Sequence, residues 1–414
     1  MTIREDKKRT PALAVFSVRS YRFQWPADLL ISCAIEMEVP ILGWFILVKT
    51  NSVVMLAVFG SLHYFGTLLS PLLGVAGDRL GCRNLLFLLR AFFTFLAVLI
   101  LALGMIDWLD PILALIIAGL GGLFRPSDGM VRNTLIAQSV PENLLMSAVG
   151  ISRITQDIAR ILGALTGTGL VTYAGFTKAY EVIVLLYILG TLLTLGALQV
   201  KSYSTPRSPL QDMWHGLTYV WNVPALLSAF WIAFLFNLTA YPFTLGLLPY
   251  VAKNIYNIDQ TGLGLMVASF SCGGLLGSIS LSLWGHLIQA GRIMIIGCAV
   301  WYFFLLLFGQ SDTLLIGLIL LCCAGYAQNI CSVPMFVIML KISEEAYRGR
   351  VMGIRMLAIY GLPMGLIIAG AMIDHIGFSL TNLIFVLTGL ILLASISLIW
   401  RKDLLDTAAI ANQK

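Results

Sequence analysis

The chain has 414 residues, of which 59% are hydrophobic and only 11% charged, with a net charge of +6 and a mean hydropathy of +0.92. A water-facing globular surface needs about 25% charged residues, so most of this surface must meet lipid. A soluble enzyme and a nucleic-acid binder are thereby excluded, and the positive charge is read as a topology signal.

A spanning helix requires about 20 mainly apolar residues. Twelve such runs follow one another, at roughly 24–47, 52–76, 84–106, 111–133, 147–173, 180–200, 225–251, 262–286, 292–311, 313–340, 351–373 and 379–400. Their length and continuity predict helices, since barrel strands alternate and need only about 10 residues. The polar N-terminus MTIREDKKRT does not read as a cleavable signal peptide. Six of the seven cysteines fall in spans, and none shows metal-ligand spacing; packing is their expected role.

Distributing lysine and arginine over alternate sides leaves only Lys49, Lys178 and Lys253 on one side. The positive-inside rule then places both termini in the cytoplasm, as expected for an even number of inner-membrane spans. The polar stretch 201–224, with Pro206 and Pro209, divides the spans six and six. This predicts an all-α membrane protein of two six-helix bundles, residues 1–200 and 225–414, joined by a cytoplasmic loop, with a solute route between them.

Ionisable groups inside a membrane are functional candidates by default. The first span carries Glu36 and Glu38, the fourth Arg125, Asp128 and Arg132, and the fifth Arg153, Asp157 and Arg160. Arg153 and Asp157, and Asp128 and Arg132, are four apart and share helix faces. Arg160 lies about 10 Å deeper than Arg153 at 1.5 Å per residue. Glu36 and Glu38 are two apart and diverge, so one is expected to face a cavity and the other to pack against a neighbour. Glu36, Glu38 and Asp157 are the candidate proton-coupling groups. Arg125, Arg153 and Arg160 are candidate cavity cations that either bind an anionic group or tune the glutamate. The alternative is a set of ion pairs knitting the first bundle together, with Arg132 and Arg153 free to reach the headgroups. The second half offers neutral candidates, Asn237, Tyr241, Tyr326, Gln328 and Asn329, beside Phe230, Trp231 and Phe234. His63 reads as a hydrogen-bonded structural group. Glycines at 163 and 167, at 273, 274 and 277, and at 361, 365 and 370 permit close helix approach and are candidate sliding seams between the halves.

After the second span the chain reads Gly74-Val-Ala-Gly77-Asp78-Arg79-Leu-Gly81-Cys-Arg83. This resembles the major facilitator superfamily signature between helices 2 and 3, with Cys82 in place of the usual arginine. Arg348-Gly349-Arg350-Val351-Met352-Gly353, followed by Gly361, Pro363 and Gly365, resembles the enterobactin-exporter and macrolide-efflux branch. The resemblance implies a secondary exporter working by alternating access, with Gly74, Asp78, Arg79, Gly81, Arg83, Asp128, Arg132, Arg348 and Arg350 forming a cytoplasmic gate in which Arg132 pairs with Asp78. The helix 5 Gly-Pro pair of the antiporters is absent. The expected cargo is a small organic molecule with acidic groups, such as a carboxylate siderophore, exchanged for protons. Multidrug efflux and import or facilitation of a small anion are the alternatives. No cofactor or metal is implied, no nucleotide loop is present, and a monomer is expected.

Overall fold

The computed structural model describes residues 12–69, 73, 80–198, 209–284, 289–344, 347–401 and 404, and every regular element among them is a helix. A 3-10 turn over Ala12–Ser17 leads into α1, Arg19–Thr50, which runs through Pro26 and Pro40 and stops where Asn51 turns left-handed. Ser52 then caps α2, Val53–Leu62, by accepting the Met55 N–H at 3.2 Å. Gly81, at φ 82, makes the turn into α3, Cys82–Met105, a backbone region that residues with a Cβ avoid. Asp110 caps α4, Pro111–Ser139, accepting the Ile112 N–H at 3.0 Å, and Pro111 begins it where no N–H is needed.

The helical stretch Glu142–Thr194 is broken at Gly175, at φ 86 and ψ 168, into α5 (142–174) and α6 (176–194). The predicted central loop holds a helix, α7, Pro209–Asn222, bent by 108° against α8, Pro224–Thr239. Two π-helical turns, Pro242–Gly246 and Val251–Ile255, carry the α8 span onward. There follow α9 (Gln260–Trp284), α10 (Ala290–Phe308) and α11 (Leu314–Ile342). Next come α12 (Arg348–Leu357), α13 (Gly361–Ile376) and α14 (Phe378–Ile399).

Among the described residues nine helices are long and apolar enough to cross a bilayer. One of these is the α5–α6 pair, α2 is continued by the 3-10 turn Phe65–Leu69, and α8 crosses with its π turns. The architecture is consistent with the twelve predicted spans, α12 and α13 forming one of them.

The glycines pack differently from the sequence expectation. A Cβ on Gly163 would meet Glu36 Cβ at 2.8 Å and one on Gly167 would meet Met37 Cα at 2.8 Å, so this pair seats α5 on α1 within the first half. Gly277 meets the Tyr326 carbonyl at 2.8 Å, holding α9 to α11, and Gly361 meets the Phe234 carbonyl at 2.6 Å, holding α13 to α8. Of the expected seam glycines, Gly370 of α13 does lie between the halves, beside Ala57 of α2, and Gly264 of α9 makes a second such contact beside Ala164 and Thr168 of α5.

The two halves meet at the end remote from the N-terminal end of α1. There Lys253 Nζ donates to Asn51 Oδ1 at 2.6 Å and Thr261 donates to Thr172 at 2.9 Å. At the opposite end a Cβ on Gly150 of α5, or on Gly349 or Gly353 of α12, would meet no atom within 4 Å. Beyond the hydrogen bond from Tyr360 Oη to the Phe65 carbonyl, at 3.0 Å, which still joins the halves, α5 and α12 stand apart, and a cleft between the halves opens toward the end where α1 begins.

Candidate functional site

Three charged clusters stack along the first bundle. Arg90, fully buried, donates to Asp28 at 2.5 Å, to Asp128 at 3.1 Å and to Thr194 Oγ1 at 2.8 Å. The expected Asp128–Arg132 pair is thus not the one formed: Asp128 turns inward to α3. Arg132 is itself buried, its Nη1 at 3.4 Å from Ser32 Oγ, so it does not reach the headgroups. Asp28 and Arg90 were missed as site residues, although both are ionisable groups inside predicted spans.

Deeper along α1, Glu38 pairs with Arg125 and accepts a hydrogen bond from Tyr187 at 2.9 Å. Their side chains are only 7% and 16% exposed, enclosed within the first bundle beside His63. His63 Nδ1 lies 2.9 Å from the Phe59 carbonyl, the structural role expected of it.

The third cluster lines the cleft. Arg160 Nε lies 3.3 Å from Glu36 Oε1, with side chains 34% and 25% exposed. One turn or two nearer the open end, Arg153 Nε lies 3.7 Å from Asp157 Oδ2, and its side chain is 60% exposed. Glu36 and Glu38 diverge as their spacing requires, and each takes its own arginine. Arg125 and Arg132 are shut inside the bundle while Arg153 and Arg160 are partly exposed, so the arginines of α4 and α5 do not converge on one cavity.

The second half completes the cleft. Gln328 Nε2 donates to Tyr241 Oη at 2.8 Å and to Ser332 at 3.0 Å. Tyr241 lies within electrostatic reach of Arg153 and Arg160, and Tyr64, in the turn after α2, within reach of Glu36, Arg160 and Tyr241. Phe230, Trp231 and Phe234 of α8 form an edge-to-face chain, with centroids 5.8 and 6.0 Å apart, while Tyr241 packs edge-on against Phe236 and Trp301. Arg355 of α12 also belongs here: its guanidinium sits over the Phe336 ring at 5.1 Å, within reach of Tyr241 and Arg153. Arg355 lies inside the predicted span 351–373 but counts, by the positive-inside rule, among the cytoplasmic charges; its place here adds a cation to a second-half wall expected to be neutral.

Two further candidates are hydrogen-bonded to backbone carbonyls. Asn237 is buried, donating to the Ala233 carbonyl at 2.8 Å and lying against Gly361. Asn329 donates to the Gly274 carbonyl at 2.5 Å, tying α11 to α9. Tyr326 is exposed. Of the gate residues, Gly74, Asp78 and Arg79 lie outside the described residues, and with them the proposed partner of Arg132. Arg83 Nη2 donates to Asn84 at 3.0 Å. Arg350 lies over the Tyr347 ring at 5.2 Å, with its Cβ against Gly216 of α7, while Arg348 is exposed beside it.

Two helical bundles around a polar, one-sided cleft define a multi-pass membrane carrier. The profile of the Major Facilitator Superfamily matches residues 27–364 and 230–412; the chain belongs to this superfamily and is a secondary transporter of that type. It is 24% identical over 341 residues to the multidrug efflux pump Tap of Mycolicibacterium fortuitum, covering 77% of this chain and 80% of Tap. Among solved structures it resembles the POT family transporter PepTSo, with TM-score 0.76, 11% identity and coverage of 93% and 98%. The nucleoside transporter NupG gives TM-score 0.70, 15% identity and coverage of 92% and 98%. A D-xylose-proton symporter gives 0.67, 14%, 91% and 97%.

Proposed function

We propose that the chain is a proton-coupled exporter of a small organic molecule bearing an acidic group, acting as a monomer in the inner membrane with both termini in the cytoplasm. The observation that carries this reading is the Glu36–Arg160 pair, half-exposed on the cleft, whereas Glu38–Arg125 is sealed inside the bundle. Glu36 is the proton carrier.

In the open structure Glu36 is paired with Arg160; a proton arriving on Glu36 breaks that pair, and in a hydrated cleft water solvates the cation left behind. A bound substrate excludes that water. Arg160 stays charged at any working pH, and an unpaired buried cation is costly. The dry cleft therefore favours the Glu36 carboxylate beside Arg160, and substrate binding expels the proton. Exchange of substrate for proton follows, provided the substrate's acid settles away from Arg160. Glu38 holds α1 to α4 and takes no proton in the cycle.

Multidrug efflux is the second reading, favoured by the similarity to Tap and by the aromatic chain on α8. There the rings would hold an amphipathic cation.

The test is proton release from detergent-solubilised protein in weak buffer on adding carboxylate chelators or lipophilic cations. Release evoked by the carboxylates, lost in Glu36→Gln and kept in Glu38→Gln, is expected. Release evoked by cations alone favours drug efflux. Binding without a proton change, or with proton uptake, would sink the antiport mechanism.

A further inference from the structure

Arg355 differs from the other arginines of the cleft. Arg160 has Glu36 and Arg153 has Asp157, whereas Arg355 makes no hydrogen bond or ion pair among the described residues, and its Nε is buried without an acceptor. Its neighbours are the Phe336 ring, the Tyr241 phenol and another cation, Arg153. The aromatic face offsets part of its desolvation but supplies no hydrogen-bond acceptor. A guanidinium presents five donors suited to a carboxylate or phosphate.

Arg153 stands on α5 of the first half and Arg355 on α12 of the second, both toward the open end of the cleft. Bringing the halves together there drives two like charges toward each other in a medium where solvent screening falls as the cleft closes. Asp157 offsets part of Arg153, and nothing described offsets Arg355. We propose that an anionic group of the substrate binds between Arg153 and Arg355, with Tyr241 and Gln328 beside it, and that this anion permits the open end to close. The empty carrier is held open by the repulsion, and a loaded one is released. The inference rests on the reading of the cargo as acid-bearing, and it places that acid at Arg153 and Arg355, leaving Arg160 to its glutamate.

The test needs no natural substrate. Spin labels attached by oxime chemistry to p-acetylphenylalanine at positions Gly150 and Gly349 leave the seven native cysteines in place; their distance distribution reports the separation of α5 and α12. Arg355→Gln without ligand should raise the closed-to-open ratio about tenfold, equivalent to ~1.4 kcal/mol, and Arg355→Lys should behave as wild type. Citrate should close the wild type and leave Arg355→Gln unmoved, while neutral triethyl citrate does neither. An unchanged distribution in Arg355→Gln overturns the proposal, as does citrate acting no more strongly than its ester. Because this readout is distance, it stands or falls separately from the proton signal at Glu36: closure by citrate with no proton change removes the antiport reading alone.

Discussion

Arg90 is the residue on which the first bundle most depends. It is fully buried and bridges Asp28 of α1, Asp128 of α4 and Thr194 of α6. Removing one partner from a buried ion cluster costs about 3–5 kcal/mol, because the remaining charges stay desolvated. Arg90→Gln leaves two carboxylates close together without their shared cation. Its melting temperature in detergent should fall steeply, whereas Arg153→Gln, at an exposed pair, should cost under about 1 kcal/mol. Equal losses in the two variants would show that the Arg90 cluster is no more than a surface-grade contact. The sequence located the ionisable groups on their helices but not their partners. Spacing of four residues pointed Asp128 at Arg132, yet the carboxylate turned to α3, because a guanidinium already paired with Asp28 stands there. Contacts between helices override contacts along one helix when both groups are shut away from water.

Among the elements, the glycine-rich faces divide into fixed and sliding contacts. Gly163 and Gly167 bury α5 against α1 inside one half, a joint with no reason to move during transport. Gly264 meets Ala164 and Thr168 across the halves, at the closed end. Gly264→Leu should therefore open that end, read as longer distances between labels on α5 and α9, with little loss of thermal stability. Gly163→Leu should do the reverse: a lower melting temperature with the open and closed populations unchanged. If Gly264→Leu unfolds the protein instead, this contact is a static one. The small residues were visible in the sequence, but which neighbour each one admits was not. A helix shows small residues on several faces, and the choice of partner depends on how the bundle turns. The amphipathic helix α7 was hidden for a similar reason. The polar stretch that contains it, with Pro206 and Pro209, reads as a loop, and its order comes from docking: Tyr219 stacks on Tyr347 at 4.3 Å and accepts the Glu344 N–H at 3.2 Å.

At the scale of the whole molecule, the conformation is set by the balance between the closed end and the open one. Lys253 reaches across to Asn51 Oδ1 at 2.6 Å and to the Leu47 carbonyl at 3.5 Å. Lys253→Ala removes this bridge, and a net hydrogen bond of about 1 kcal/mol corresponds to a several-fold gain of the state open at that end. Labels at Tyr173 and Asp312, both exposed there, should show the longer-distance population grow; an unchanged distribution would mean that the remaining contacts, the Thr261–Thr172 hydrogen bond and the apolar packing, hold the closure. The sequence by itself determined that the chain lives in lipid, that it crosses about twelve times, that the halves are equivalent in size and that charge concentrates in the first, because hydropathy, length and ionisable residues are properties of each segment alone. Tertiary structure decided that Glu36 meets the cleft while Glu38 is sealed, that Arg90 is a core residue and Arg355 a cleft residue, and which glycines lie between the halves. Those outcomes depend on the rotation of each helix about its axis, and that rotation is fixed only when the neighbouring helices are packed around it.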